Sequence, residues 1–242
     1  MKLFFTHKGQ LLAAIVFSIL LRIAHICYYL PYRDSINYIQ AAENVKVNPF
    51  WDSFTTMFAP NMPPLLHLYL GGIVLLNGSA FFWGLVLMLF ADILMVLGVY
   101  LCSKKLFSDT KNAGIIAAWL IAGTPKFVEV GSNIMRDNLY FCCIAFAVYF
   151  GMSLVRKKNH WRMAFGYGLC CAVGFLFRKE GLELLLIFFI WSAFAFFRYK
   201  GEKITVARNC IVVARTFCLI VLPIYCLLLH YYPVGLGAFP KF

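Results

Sequence analysis

The 242-residue sequence is short of charge, and of negative charge above all: Asp and Glu number only 10, and charged residues make up 13% of the chain. Soluble domains carry about 25% charged and roughly 45–50% apolar residues. Here the apolar share is 62% and the aromatic share 18%. A water-soluble globule of this length has too little interior to hide that much hydrocarbon. A disordered chain, a secreted disulfide scaffold and a soluble nucleic-acid binder are therefore poor fits. Also missing are any CxxC pair and any His cluster. Most of the nine Cys lie inside apolar runs and read as small buried hydrophobes, so neither a zinc site nor a disulfide framework is indicated. What remains is an integral membrane protein.

A spanning helix needs about 20 apolar residues. Runs of that kind occupy 11–30, 79–102, 113–129, 139–155, 163–177, 181–197 and 209–230. The fifth is short, and Trp161, Arg162 and Arg178 at its ends can snorkel to extend it. A further apolar stretch, 63–77, opens on two prolines and holds Gly71–Gly72; as a helix it would measure about 22 Å. Charge decides its placement. If it does not cross and the N-terminus is cytoplasmic, the basic clusters at 104–111, 156–162 and 198–208 all lie inside, as the positive-inside rule requires. If it crosses, all three lie outside. The expected architecture is an all-α polytopic bundle of about seven transmembrane helices in a single module, 1–242. Juxtamembrane helices fall in a first extracytoplasmic loop, 31–78. The net charge of +12 is then topology rather than a nucleic-acid footprint. The N-terminal MKLFFTHKGQ resembles a signal peptide, but Arg22 and His25 interrupt its core and no small-x-small site follows, so it reads as a retained first helix.

Three outer segments carry the polar chemistry. In PYRDSINYIQAAENV, 31–45, apolar residues Ile36, Ile39, Ala42 and Val45 recur every three positions, which predicts an interfacial amphipathic helix with Asp34 near its start. Asp34 there can cap the helix as well as do chemistry. EVGSNIMRDNLYF, 129–141, brings Glu129, Arg136 and Asp137, and FLFRKEGLELL, 175–185, brings Arg178, Lys179 and Glu180. Basic residues commonly anchor helix ends, yet a charge-dense turn outside runs against the positive-inside bias. Inside the bilayer, Arg22 and Asp92 each cost roughly 2.5–3.5 kcal/mol to insert. They lie at similar depths, about 16 and 15 Å from the cytoplasmic ends of their helices, which predicts an ion pair. Ala164, Gly168 and Ala172, with Gly166, Cys170 and Gly174, make two small-residue faces suited to close helix packing.

In this order the segments resemble the GT-C superfamily of polyprenyl-phosphate-dependent glycosyltransferases, nearest its protein O-mannosyltransferase and aminoarabinose-transferase branch. The likeness rests on Asp34, Tyr38 and Ala42 in the first loop, Pro63–Pro64–Leu65 and the basic Leu-Phe turn Lys104–Phe107. It continues through the small-residue helix from Ala113 to Pro125, Arg136–Asp137, and the Arg178, Glu180, Gly181 turn. It covers about residues 10–200. The chain departs from the pattern at Ser35, where a second acid is common, and at Asn61–Met62 before the prolines. Family members usually continue for several more helices, so the chain reads as a fragment, a minimal member or one half of an assembly.

The resemblance implies transfer of a sugar from a polyprenyl-phosphate carrier to an acceptor, protein or glycan, at the extracytoplasmic face. Asp34 would be the general base. Arg136, Arg178 and Lys179 would clamp the departing phosphate, for which the guanidinium fork is suited. Asp137 and Glu129 would orient that clamp, and Tyr38 would meet the sugar. No cofactor and no metal are expected, nor any nucleic-acid partner; the bilayer is expected to be a bacterial inner membrane. The competing expectations are a non-catalytic membrane subunit and a transporter or flippase. Transporters tend to show internal repeats and polar midplane sites; no repeat is visible here.

Overall fold

The computed structural model describes residues 6–29, 31–46, 64–156, 161–198 and 203–231, and every regular element among them is helical. Helix α1 (His7–Tyr28) is capped by Thr6, whose hydroxyl accepts the Gly9 N–H at 3.1 Å. Helix α2 (Arg33–Glu43) runs into a 3-10 turn, Asn44–Lys46. Helix α3 (Leu65–Leu75) is only about 16 Å long, too short for a bilayer core of about 30 Å. It ends where Asn77 takes a left-handed φ of 59°, letting the Gly78 N–H close back on the Ile73 carbonyl at 2.9 Å. The chain then enters α4 (Ala80–Leu106), with Ser79 as its cap. Pro64 and Leu65 of the proline motif are described; Pro63 lies outside the described residues, as do Asn61 and Met62.

The rest of the bundle comprises α5 (Ala113–Gly123), α6 (Pro125–Gly131), α7 (Arg136–Arg156), α8 (Trp161–Phe177), α9 (Gly181–Arg198) and α10 (Lys203–Tyr231). Five of the helices (α1, α4, α7, α9 and α10) are long and apolar enough to cross a membrane, and α5 with α6 makes a sixth if the bent pair is one span. That bend is a departure from the straight span expected over 113–129: the two halves meet at 63°. The cause is local. Pro125 has no N–H to continue the helix and restricts the residue before it, and the Thr124 hydroxyl turns back to the Leu120 carbonyl at 2.6 Å. Helix α8 has 17 residues, about 26 Å.

Faces turned outward carry Leu12, Leu20, Phe90, Ile190 and Leu219, each more than half exposed, as lipid contact demands. Between helices, where lipid is as apolar as the side chains, close approach supplies the stability. The two small faces of α8 do this. A Cβ on Gly168 would sit 2.9 Å from the Val213 carbonyl of α10. A Cβ on Gly166 would meet the Phe150 ring of α7 at 2.8 Å, and one on Gly174 would touch Cys143. Helices α7 and α8 therefore lie antiparallel. The buried cluster that supports α2 joins Tyr38 and Ala42 to Leu66, Leu70 and Val74 of α3, Met88 and Ala91 of α4, and Phe177 of α8.

The expected ion pair is present. Arg22 Nη2 lies 2.6 Å from Asp92 Oδ1, both side chains are fully buried, and Ser18 donates its hydroxyl to the other Asp92 oxygen.

Candidate active site

The N-terminus of α2 and the turns 132–135 and 178–180 gather at one end of the bundle. Arg178 ties two of these together. Its Nε and Nη2 donate to the two carboxylate oxygens of Glu180 at 3.2 and 2.9 Å, a bidentate fork, and Nη1 donates to Asp137 at the start of α7. Below it lies the Tyr140 ring, 5.7 Å from the guanidinium, and the Tyr140 hydroxyl donates to the Glu180 carbonyl at 3.0 Å. The hydrogen bond to Glu180 is the main reason that the Arg178 pKa is raised, and the same bond is the main reason that the Glu180 carboxyl falls below its ordinary value. Both stay ionised at neutral pH.

Gly181 makes this turn possible. A Cβ there would lie 2.2 Å from the Phe175 nitrogen and 2.5 Å from the Gly174 carbonyl carbon, backbone atoms that cannot step aside. Gly181→Ala is therefore expected to spread the α8–α9 turn and cost about 1–3 kcal/mol, the usual range for overpacking. A lowered thermal midpoint in detergent, with loss of the Arg178–Glu180 fork, is the result to look for.

Arg136 is the first residue of α7, half-buried, and among the described residues its guanidinium makes no hydrogen bond or ion pair. Asn138, fully buried, donates to the Met88 carbonyl at 3.0 Å and so fixes this end of α7 against α4.

Asp34 is exposed in the first turn of α2. The capping expectation fails there: the N-cap is Tyr32, and no side chain caps it. Instead the Asn133 carboxamide oxygen accepts the Tyr32 N–H at 3.0 Å and lies 3.5 Å from the Ser35 hydroxyl. The protein-facing side of α2 and the turn after it is Ser35, Tyr38, Ala42 and Val45, and Ile36 is exposed. Tyr38 is buried with its ring 4.9 Å from that of His67, which leaves little ring face for a sugar. Burial raises the pKa of its hydroxyl, and Arg136, Asp34, Asp137 and Arg178 all act on it electrostatically, the two arginines lowering it and the two acids raising it. Those four charges, drawn from three separated segments, are thus all close enough to bear on one phenol.

One candidate stands apart. Glu129 pairs with Lys126 at 3.0 Å, and its carbonyl accepts from Asn133 at 2.8 Å; it is not among the charges bearing on Tyr38 or Glu180. Lys179 is exposed on the same turn as the fork. Asn133 is the residue that sequence reasoning passed over. The available signal was its place, an Asn in a polar loop between apolar runs.

The class these features define is a multi-pass integral membrane protein whose ionisable side chains converge at one end of an all-α bundle. The family model described as dolichyl-phosphate-mannose-protein mannosyltransferase matches residues 61–226, more than half of the chain. The chain belongs to that family, and is a membrane glycosyltransferase of GT-C type. Glu129, Arg136, Asp137, Arg178 and Lys179 fall inside the matched stretch, whereas Asp34 and Tyr38 precede it. No curated protein and no solved structure matches the chain.

Proposed function

We propose that the protein transfers a sugar from a polyprenyl-phosphate carrier to an acceptor hydroxyl at the extracytoplasmic face, with its N-terminus in the cytoplasm. The observation that carries this reading is the meeting of three segments that bear four charges, Asp34, Arg136, Asp137 and Arg178: Asn133 docks the start of α2, and Arg178 joins the 178–180 turn to Asp137 at the start of α7. A lipid-linked sugar stays at the membrane surface, and inverting transfer from it needs three things: a base for the acceptor proton, room for an oxocarbenium-like sugar, and donors for the phosphate that departs. Asp34 is the exposed carboxylate of the four and takes the proton. Arg136 is the guanidinium with no protein partner among the described residues, and its fork receives the phosphate oxygens as the glycosidic bond breaks. Arg178 is already committed to Asp137 and Glu180. It therefore holds the wall of the site and supplies positive potential rather than a free pair of donors.

The residues named act without a metal in this scheme. The test is transfer of label from radiolabelled polyprenyl-phosphate sugars to protein and glycan acceptors by the reconstituted protein, with and without EDTA. Label is expected in the acceptor at equal rates in both. Absence of transfer from every donor would leave a non-catalytic subunit of the family, and loss with EDTA would overturn the metal-free scheme.

A further inference from the structure

The break at Thr124–Pro125 leaves the end of α5 with carbonyls that α6 does not satisfy, inside a bilayer where water is not at hand. Arg22 supplies the missing donor: its Nη1 reaches the Ala122 carbonyl at 2.7 Å, while Nη2 stays on Asp92. On the far side of the break the backbone of α6 rides directly over this pair. A Cβ added to Gly131 would lie 3.1 Å from Arg22 Nε and 3.3 Å from Asp92 Oδ1. The next residue, Ser132, donates to the Val128 carbonyl at 2.6 Å and approaches the Arg22 carbonyl at 3.4 Å. The residue after that is Asn133, which holds the N-terminus of α2 through the Tyr32 N–H.

We infer that Arg22 is a positioning residue: with Asp92 it fixes both sides of the broken span, and through Ser132 and Asn133 it sets where α2 presents Asp34 relative to the start of α7. An ion pair alone does not need this arrangement. Arg22 uses two arms of its fork for two jobs, the carboxylate and the orphaned carbonyl, and a lysine has one.

The inference rests on the transferase reading only for its kinetic readout. The experiment compares the full chain in nanodiscs with three variants: Arg22→Lys, the charge swap Arg22→Asp/Asp92→Arg, and the apolar pair Arg22→Met/Asp92→Leu. The two double variants leave no buried charge unpaired, so they insert. All three are expected to raise amide exchange across residues 124–135 at least tenfold, with 203–231 unchanged. They are also expected to lower turnover at least tenfold while the KM for the lipid donor holds. Wild-type exchange over 124–135 in Arg22→Lys, or wild-type turnover in the charge swap, overturns the inference. If a double variant fails to insert, the exchange of Arg22→Lys decides alone. Should the wild-type protein transfer nothing, the transferase reading fails while the exchange measurement still decides the role of Arg22.

Discussion

Asp34→Asn is expected to leave the protein in the membrane, with unchanged melting behaviour, and to cut sugar transfer by about 10²–10⁴-fold, the usual contribution of a general base. The structural half of that expectation follows from where Asp34 sits. Its side chain is exposed, makes no hydrogen bond among the described residues, and does not cap α2, because Asn133 holds the helix N-terminus instead. An amide is nearly the same size as the carboxylate and removes only the ability to take a proton. Transfer at the wild-type rate would remove Asp34 from the mechanism, and the exposed position would then be explained as interfacial solvation alone.

The second large effect is expected at Arg136. Arg136→Ala should lower turnover about 10²–10³-fold, comparable to removing one donor to a developing oxyanion. Arg136→Lys should recover only part, since an ammonium keeps the charge but not the paired donors. Arg178→Lys makes the useful contrast. Arg178 spends its fork on Glu180 and its third nitrogen on Asp137, so its replacement should lower thermal stability as well as turnover. Steady-state rates and melting midpoints on the three variants separate the two roles. Equal stability losses at Arg136 and Arg178 would show that both are structural.

The bundle was legible because its signals are local and strong: apolar runs set the helices. The Arg22–Asp92 pair was legible for a related reason, since two costly charges at matching depth have few alternatives to each other. The break at Thr124–Pro125 was hidden inside an uninterrupted apolar run. Pro125 marked it, but whether a proline kinks a helix or divides it depends on a donor from elsewhere, and that donor is Arg22, 100 residues away. The spacing of apolar residues in α2 marked an interfacial helix but not its protein-facing side, because the helix buries Ser35 and Tyr38 against distant neighbours, Asn133 and His67. In the site, the charged residues were visible by type and position; the division of labour between a committed Arg178 and an open Arg136 depended on contacts spanning 41 residues.

The 17 residues of α8 have a consequence for the lipid around them. A helix of about 26 Å beside neighbours such as the 27-residue α4 is a hydrophobic mismatch, one that thinning of the bilayer beside α8 would meet. Its end at Phe177 carries the Arg178 turn, so such thinning would fall at the proposed site. Long acyl chains would flood that turn with hydrocarbon, while short ones would leave it wet, so transfer at the proposed site would vary with membrane thickness.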